Sequence, residues 1–231
     1  TPVSNPQNLF LYAKYGMDLP GFLSVVLPLT LVSLAALASA ALFFPAKNIE
    51  VSFQKRHAIE RPLALAVYAA LFVLCLLAVF RVLHYGVMTA AAAAAVLICD
   101  KKLLAKADYG LLLTFVFFFI FAGNIGSIDA VRDFLGGMME KSALGTSLLA
   151  SQVVSNVPAA ILLSGFTQDW RGLLAGVNIG GLGTPIASLA SLISLKLYMQ
   201  SAGARPGRYM AVFLLVNLAG LALMLLTAAF L

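Results

Sequence analysis

The length of the uninterrupted apolar runs constrains this chain more than any other feature. Residues 22–44, 62–80 and 209–231 contain no charged side chain, and a helix needs roughly 20 such residues to cross a bilayer. Residues 86–99 and 111–122 are also apolar but shorter, so they need flanking residues to cross. The runs are continuous rather than alternating, which excludes a membrane β-barrel. Only 10% of the chain is charged and 62% is hydrophobic, whereas soluble domains carry roughly 25% charged residues. The expected fold class is an all-α polytopic membrane protein with the lipid bilayer as its solvent.

A formal net charge of +6 raises the question of nucleic acid, and the placement of the charges answers it. Lys47, Lys55, Arg56 and Arg61 share one connection between apolar runs. Lys101, Lys102 and Lys106 share a second, and Lys196, Arg205 and Arg208 surround a third. Basic residues gathered in alternate connections follow the positive-inside rule. Connections 45–61, 100–108 and 200–208 are therefore expected in the cytoplasm of a cell (inner or plasma) membrane protein, with the C-terminus outside. Lys14, Arg81, Arg132, Lys141 and Arg171 fall in opposite-side segments, mostly near an acidic residue. The charge is a matter of topology, and no nucleic-acid partner is expected. Cys75 and Cys99 form no C-x-x-C pair, so neither a disulfide framework nor a metal knuckle is supported. His57 and His84 lie in loops or at span ends and read as solvated or interfacial.

Four segments follow. Residues 1–44 read as the end of a first repeat: the stub of a broken helix over 1–15, a turn over 17–21 with Pro20 as breaker, and a final helix. Residues 45–61 form the polar inter-repeat connection. Residues 62–125 carry scaffold-type crossings over 62–80, 86–99 and 109–122, with Asn124 expected as a cap in preference to a scaffold contact. Residues 126–231 open with a mixed-charge stretch, 129–141, expected as an interfacial helix. The chain starts at Thr1, inside what reads as a motif, and is expected to be part of a longer protein.

Two breaks interrupt the apolar pattern of the last segment. Ser155-Asn156-Val157-Pro158 stands mid-run between 142 and 167, which suggests two half-length helices joined by a turn, a re-entrant hairpin. The plainer alternative is one helix kinked at Pro158. Asn178-Ile179-Gly180-Gly181-Leu182-Gly183-Thr184-Pro185 then interrupts 172–198. Three glycines in four residues followed by Thr-Pro resist helix formation, so a discontinuous helix is expected, against a mere small-residue packing face. Backbone that leaves the helix at membrane depth has to be buried in protein or line a wet cavity.

The second break also has a counterpart. Thr1-Pro2-Val3-Ser4-Asn5-Pro6-Gln7-Asn8-Leu9 parallels Thr184-Pro185-Ile186-Ala187-Ser188-Leu189-Ala190-Ser191-Leu192, and Tyr15 parallels Tyr198. Each is followed by a turn and a long final helix. Opposite polarity of the two copies is expected, which is the inverted repeat of secondary transporters.

With these residues in hand, the chain resembles the second half of the ion transporter superfamily, the group of citrate transporters, divalent anion/sodium symporters and arsenite permeases. The resemblance implies two hairpins meeting near the midplane, an elevator motion against a fixed homodimeric scaffold, and a small anion and a coupling ion bound at the tips and helix breaks. Carried onto this sequence, it implies substrate contacts from Ser155, Asn156, Val157, Pro158, Thr184, Pro185 and Asn5. It implies ion contacts from Ser155, Asn156, Gly180, Gly181, Gly183, Ser188, Thr1 and Ser4. Val157 replaces the Thr of the dicarboxylate members, and the first hairpin is not in this chain.

The chemistry is also readable without the resemblance. Half-helix N-termini attract anions, Ser155 and Asn156 add neutral donors, and unwound carbonyls near Gly180–Gly183 suit sodium. No Asp or Glu lies mid-span, which favours sodium over protons as the coupling ion. No cofactor is expected. An intramembrane enzyme would need a nucleophile with its base, a His pair or paired aspartates within spans, and none is present. The expected function is an ion-coupled secondary transporter of a small carboxylate or oxyanion. A proton-coupled or arsenite-type exporter and an anion channel are the alternatives.

Overall fold

A computed structural model describes residues 1–43, 61–201 and 203–230, and every regular element among them is an α-helix. In chain order these are α1 (Pro6–Lys14), α2 (Leu19–Ala41), α3 (Pro62–Val79), α4 (Tyr85–Cys99), α5 (Lys102–Lys106) and α6 (Tyr109–Gly126), then α7 (Asp129–Lys141), α8 (Ala143–Val154), α9 (Asn156–Leu163), α10 (Trp170–Ile179), α11 (Leu189–Met199) and α12 (Pro206–Ala228). The inter-repeat connection lies outside the described residues up to Arg61, and with it Lys47, Lys55, Arg56 and His57. Helices α2, α3 and α12 are long and apolar enough to cross a membrane. The 15-residue α4 is only about 22 Å long at 1.5 Å per residue.

Several boundaries correct the sequence reading. Helix α2 starts at Leu19, so Pro20 sits in its first turn rather than breaking the chain, because a first-turn residue has no intrahelical use for its N–H. Pro206 opens α12 in the same way, three residues before the expected start. Helix α6 continues through Asn124 to Gly126. Asn124 is therefore not a cap; its carbonyl takes the Ser127 hydroxyl at 2.6 Å. The 100–108 connection holds the short helix α5. Helix α7 has the expected span and is bent 97° from α6.

The chain divides into two compact units. One comprises Leu37–Gly110. In it α3 and α4 pack together, and α4 begins at His84, whose Nδ1 accepts the Gly86 N–H at 3.1 Å. His84 is thus a helix cap, a role its sequence position alone did not suggest.

The other unit comprises Thr1–Ala36 and Leu111–Leu231, and its core is the packing of α8, α9 and α10. Helices α8 and α10 lie side by side at small residues. A Cβ on Gly172 would stand 3.0 Å from the Ala143 Cβ, one on Gly176 would strike Ser147, and one on Gly180 would stand 2.8 Å from the Ser151 Cβ. The offset of 29 residues is constant, so the two helices run parallel. Ser147 and Ser151 donate their hydroxyls to the carbonyls of Ala143 and Ser147 at 2.6 and 2.7 Å, so each is satisfied within α8 while it faces a glycine.

Helix α9 then runs back. Trp170 opens α10 beside the start of α8 only a few residues after α9 ends, so α9 has to return along α8. Helix α1 lies along α9 in the same direction. Pro6 and Val157 line one groove at one end, and the Tyr15 hydroxyl donates to the carbonyls of Ser164 and Thr167 at 3.2 and 3.0 Å at the other. Burial, with the Asp169 carboxylate nearby, pushes the Tyr15 phenol up to about 12, so it remains a donor at neutral pH.

Because Gly176 has backbone and Ser147 within contact of its missing side chain, Gly176→Ala should lower the thermal midpoint of the purified protein in detergent. The expected loss of stability is about 1–3 kcal/mol, the usual cost of overpacking. Gly136→Ala, inside α7 where a Cβ meets nothing within 4 Å, should not lower the midpoint and should raise it slightly, because alanine is the better helix former.

Candidate functional site

The end of α8 and the end of α10 arrive at the same level because the two helices are parallel and in register. At that level α8 stops at Val154 and the chain reverses through one residue. Ser155 has φ 71° and ψ 155°, a conformation that L-residues adopt at a cost of about 1–3 kcal/mol. It closes α8 and starts α9. Its neighbour Asn156 donates its backbone N–H to the Ala187 carbonyl at 3.0 Å, and the Ser155 hydroxyl points to the same carbonyl at 3.4 Å. The tip of the α8–α9 hairpin is therefore docked on the second break, not merely near it.

The second break runs from Gly180 to Ser188, between α10 and α11. Gln152, one helical turn before Ser155, holds it. The Gln152 Nε2 donates to the carbonyls of Gly180 (2.8 Å) and Leu182 (3.0 Å), and its Oε1 accepts the Thr184 N–H at 2.9 Å. The Thr184 hydroxyl returns to the Gln152 carbonyl at 3.1 Å. Gly183 has φ 111° and a Cβ there would enter the Gln152 carboxamide, so this position needs glycine on both counts. Ser188 caps α11, accepting from the Ser191 N–H at 3.2 Å.

The turn over 1–5 is built like the one over 184–188. The Ser4 N–H bonds the Thr1 carbonyl at 3.1 Å, as the Ala187 N–H bonds that of Thr184 at 3.1 Å. Asn5 (φ −141°, ψ 148°) and Ser188 (φ −146°, ψ 152°) then hold the N-cap positions of α1 and α11. Helices α2 and α12, which follow, both have 23 residues. The side chains of Thr1, Ser4 and Asn5 are exposed, however, and the Ser4 hydroxyl goes to Thr1 at 2.6 Å. The contact between α1 and α10 comes one turn later, where Asn178 Nδ2 donates to Asn8 Oδ1 at 2.7 Å. Asn178 is thereby a packing residue, also bonded to the Leu174 carbonyl at 2.8 Å.

The structure thus gathers Ser155, Asn156, Gly180, Gly181, Gly183, Thr184 and Ser188 around one point. Val157, 5% exposed, turns toward the apolar groove shared with Pro6 and Ile161, so only its backbone faces the break. Three residues escaped the sequence reading: Gln152, Gln7 and Asn8. Each is an uncharged amide in an apolar context within a turn or two of a break, and that was the available signal. Gln7 and Asn8 are 2% and 1% exposed.

Three helix N-termini (α1, α9, α11) and two C-termini (α8, α10) converge here. No Asp, Glu, Lys, Arg or His occurs in residues 1–13, 142–168 or 172–195, so the field comes from backbone dipoles, positive at the first set and negative at the second. Asn156 is 7% exposed. Its Nδ2 lies beside Gly181, and its amide makes no hydrogen bond with the described residues. Its amide atoms keep some access, so a polar ligand can reach and satisfy them. A groove of about 420 Å³ between Phe10, Lys14, Phe119, Arg132 and Phe166 lies apart from the breaks and includes none of these residues.

Residues 1–168 match the family model described as citrate transporter. The chain belongs to the citrate transporter family. The match takes in the Thr1–Asn5 turn and the Ser155 tip and stops before the glycine break, and it agrees with the resemblance drawn from those residues. Among curated proteins, this member of the family is 33% identical over 215 residues to the uncharacterized transporter MJ0456 of Methanocaldococcus jannaschii, covering 92% of this chain and 57% of that protein. It is 31% identical over 202 residues to the inner membrane protein YbiR of Escherichia coli, covering 85% and 54% respectively. The chain spans about half the length of the curated relatives it matches. No solved structure matches it.

Gly183→Ala tests the fit at the break. It adds a left-handed penalty of about 1–2 kcal/mol to a collision with Gln152. A fall in thermal midpoint well beyond that of Gly207→Ala, where nothing lies within 4 Å, is the expected result.

Proposed function

We propose that this chain is the later part of a secondary active transporter in which a coupling ion, running down its own gradient, drives the movement of a small anion, a carboxylate or oxyanion, by elevator-type alternating access. The anion sits against the N-termini of α9 and α11, with donors from Ser155, Asn156 and Thr184 and backbone from Val157, Pro158 and Pro185. Asn5 and the rest of the α1 N-terminus close it from the first repeat. The observation that carries the reading is the Asn156 amide, which stands beside Gly181 at the start of α9, keeps access to a ligand and makes no side-chain hydrogen bond among the described residues. Such a site binds a negative charge through dipoles and neutral donors, without the desolvation cost of a buried Arg or Lys. Membership of the citrate transporter family and the likeness to an uncharacterized transporter support the same reading.

The coupling ion is sodium, held by the Ser155 hydroxyl, the Asn156 amide oxygen, Ser188 and carbonyls of the break. The Gly180 carbonyl is already taken by Gln152, which leaves those of Gly181 and Gly183. Thr1 and Ser4 make the corresponding set in the first repeat. The α8–α9 pair enters and leaves the membrane on one side as a re-entrant hairpin, with Ser155 at depth, and α7 lies along the interface. The whole protein works in the cell membrane as a homodimer whose fixed scaffold carries the moving parts.

Uptake into proteoliposomes by the full-length protein tests this. Labelled citrate, dicarboxylates and oxyanions should be offered under an inward sodium gradient and then under a pH gradient alone. Sodium-driven uptake of one anion is expected. Asn156→Ala should weaken its apparent affinity at least about tenfold, the value of one hydrogen bond to a charged group, with unchanged helicity by circular dichroism. Normal uptake by that variant removes Asn156 from the site, and flux under the pH gradient alone removes sodium.

A further inference from the structure

Gln152 does more than cross-link two segments. Its amide nitrogen lies 3.3, 2.8 and 3.0 Å from the carbonyl oxygens of Leu148, Gly180 and Leu182. A primary amide has only two hydrogens to donate. Three carbonyls converging on one nitrogen is therefore more than an amide can fully satisfy, and it is the arrangement that carbonyls adopt around a cation. The orientation of the amide is fixed by its partners, because its oxygen faces the Thr184 N–H at 2.9 Å. Gly183, with φ 111° and no room for a Cβ, leaves the space the carboxamide fills.

The consequences reach both breaks. Gly180 and Leu182 belong to the second break, and Gln152 is one turn from the Ser155 tip. The Ala187 carbonyl that receives Asn156 lies further along the same break. One neutral side chain therefore sets the spacing between the tip and the glycine segment.

We propose that Gln152 is a built-in cation surrogate, a positioning residue whose amide nitrogen keeps the glycine break assembled against the Ser155 tip when no ion is bound. It rests on the reading of the break as part of an ion-coupled site. The coupling ion then binds to a break already formed and is not needed to fold it. In population terms, the binding-competent fraction is high in the empty protein, so apparent ion affinity is not lowered by a folding step.

The test is hydrogen–deuterium exchange of the full-length protein, read on peptides covering residues 180–188. It is run in sodium chloride and in a sodium-free buffer of a large organic cation. In the unsubstituted protein that segment should exchange slowly in both, differing less than about twofold, because its bonds do not await the ion. Gln152→Met keeps the shape and removes both donor and acceptor. Gln152→Glu keeps the acceptor for Thr184 and removes the donors. Both should exchange at least about tenfold faster in the segment without sodium, and sodium should slow it again in both, more steeply for Gln152→Glu. The sodium concentration for half-maximal uptake should rise about tenfold, while the maximal rate is kept.

Fast exchange of the unsubstituted segment without sodium overturns the proposal, because the ion would then build the break. So does slow exchange in both variants, and so does fast exchange in both that sodium leaves untouched, which is a purely structural role. If one variant does not fold, the other decides. The thermal midpoint of the unsubstituted protein as a function of sodium separates the two readings. No sodium dependence there sinks the coupling assignment, while the sodium-free exchange still judges Gln152.

Discussion

The hydrogen bond from the Asn156 N–H to the Ala187 carbonyl is the contact on which the rest of the larger unit depends. A helix interrupted among apolar side chains exposes N–H and C=O groups that neither lipid nor apolar side chains can satisfy. Two interruptions at one level can satisfy each other. The start of α9 supplies the N–H, the glycine break supplies the carbonyl, and Gln152 supplies the further donor and acceptor that the break needs. The breaks are therefore mutually dependent, and a disturbance of either should be felt at the other.

That arrangement requires α8 and α10 to stay parallel and in register over their length. The register comes from small residues at four-residue spacing on both helices, Ala143, Ser147 and Ser151 against Gly172, Gly176 and Gly180. Close approach of backbones is the usual device for helix association in an apolar solvent, where burying a large apolar side chain gains little. The same closeness carries Gln152 within reach of Gly180 and Leu182. Packing and site geometry are thus two consequences of one small-residue seam.

Much of the fold was legible in the sequence because its signals are long or concentrated. Apolar runs gave the spanning helices α2, α3 and α12, and the mixed charge of 129–141 gave α7 at its observed bounds. The glycine cluster marked the gap between α10 and α11, and the parallel between Thr1–Asn5 and Thr184–Ser188 reappears as matching turns and matching N-cap backbone conformations. The misreadings were local and share a cause. Pro20 and Pro206 were read as lying outside helices although a proline fits the first turn, and Asn124 was read as a cap although its helix runs on past it. A single residue with two structural uses cannot be resolved by its type alone.

The sequence by itself determined that this chain is an all-helical membrane protein with two special interruptions, and that the site around them is free of ionisable side chains. Those properties follow from composition and from where glycine and proline fall along the chain. Only the tertiary structure decided that the Asn156 side-chain amide makes no hydrogen bond among the described residues while that of Asn178 is spent on Asn8, that Val157 turns away from the break, and that Thr1, Ser4 and Asn5 remain exposed. It alone brought Gln152 to the centre. Hydrogen-bond partners 28 to 32 residues apart are chosen by how two helices pack, and no local pattern in the sequence encodes that distance.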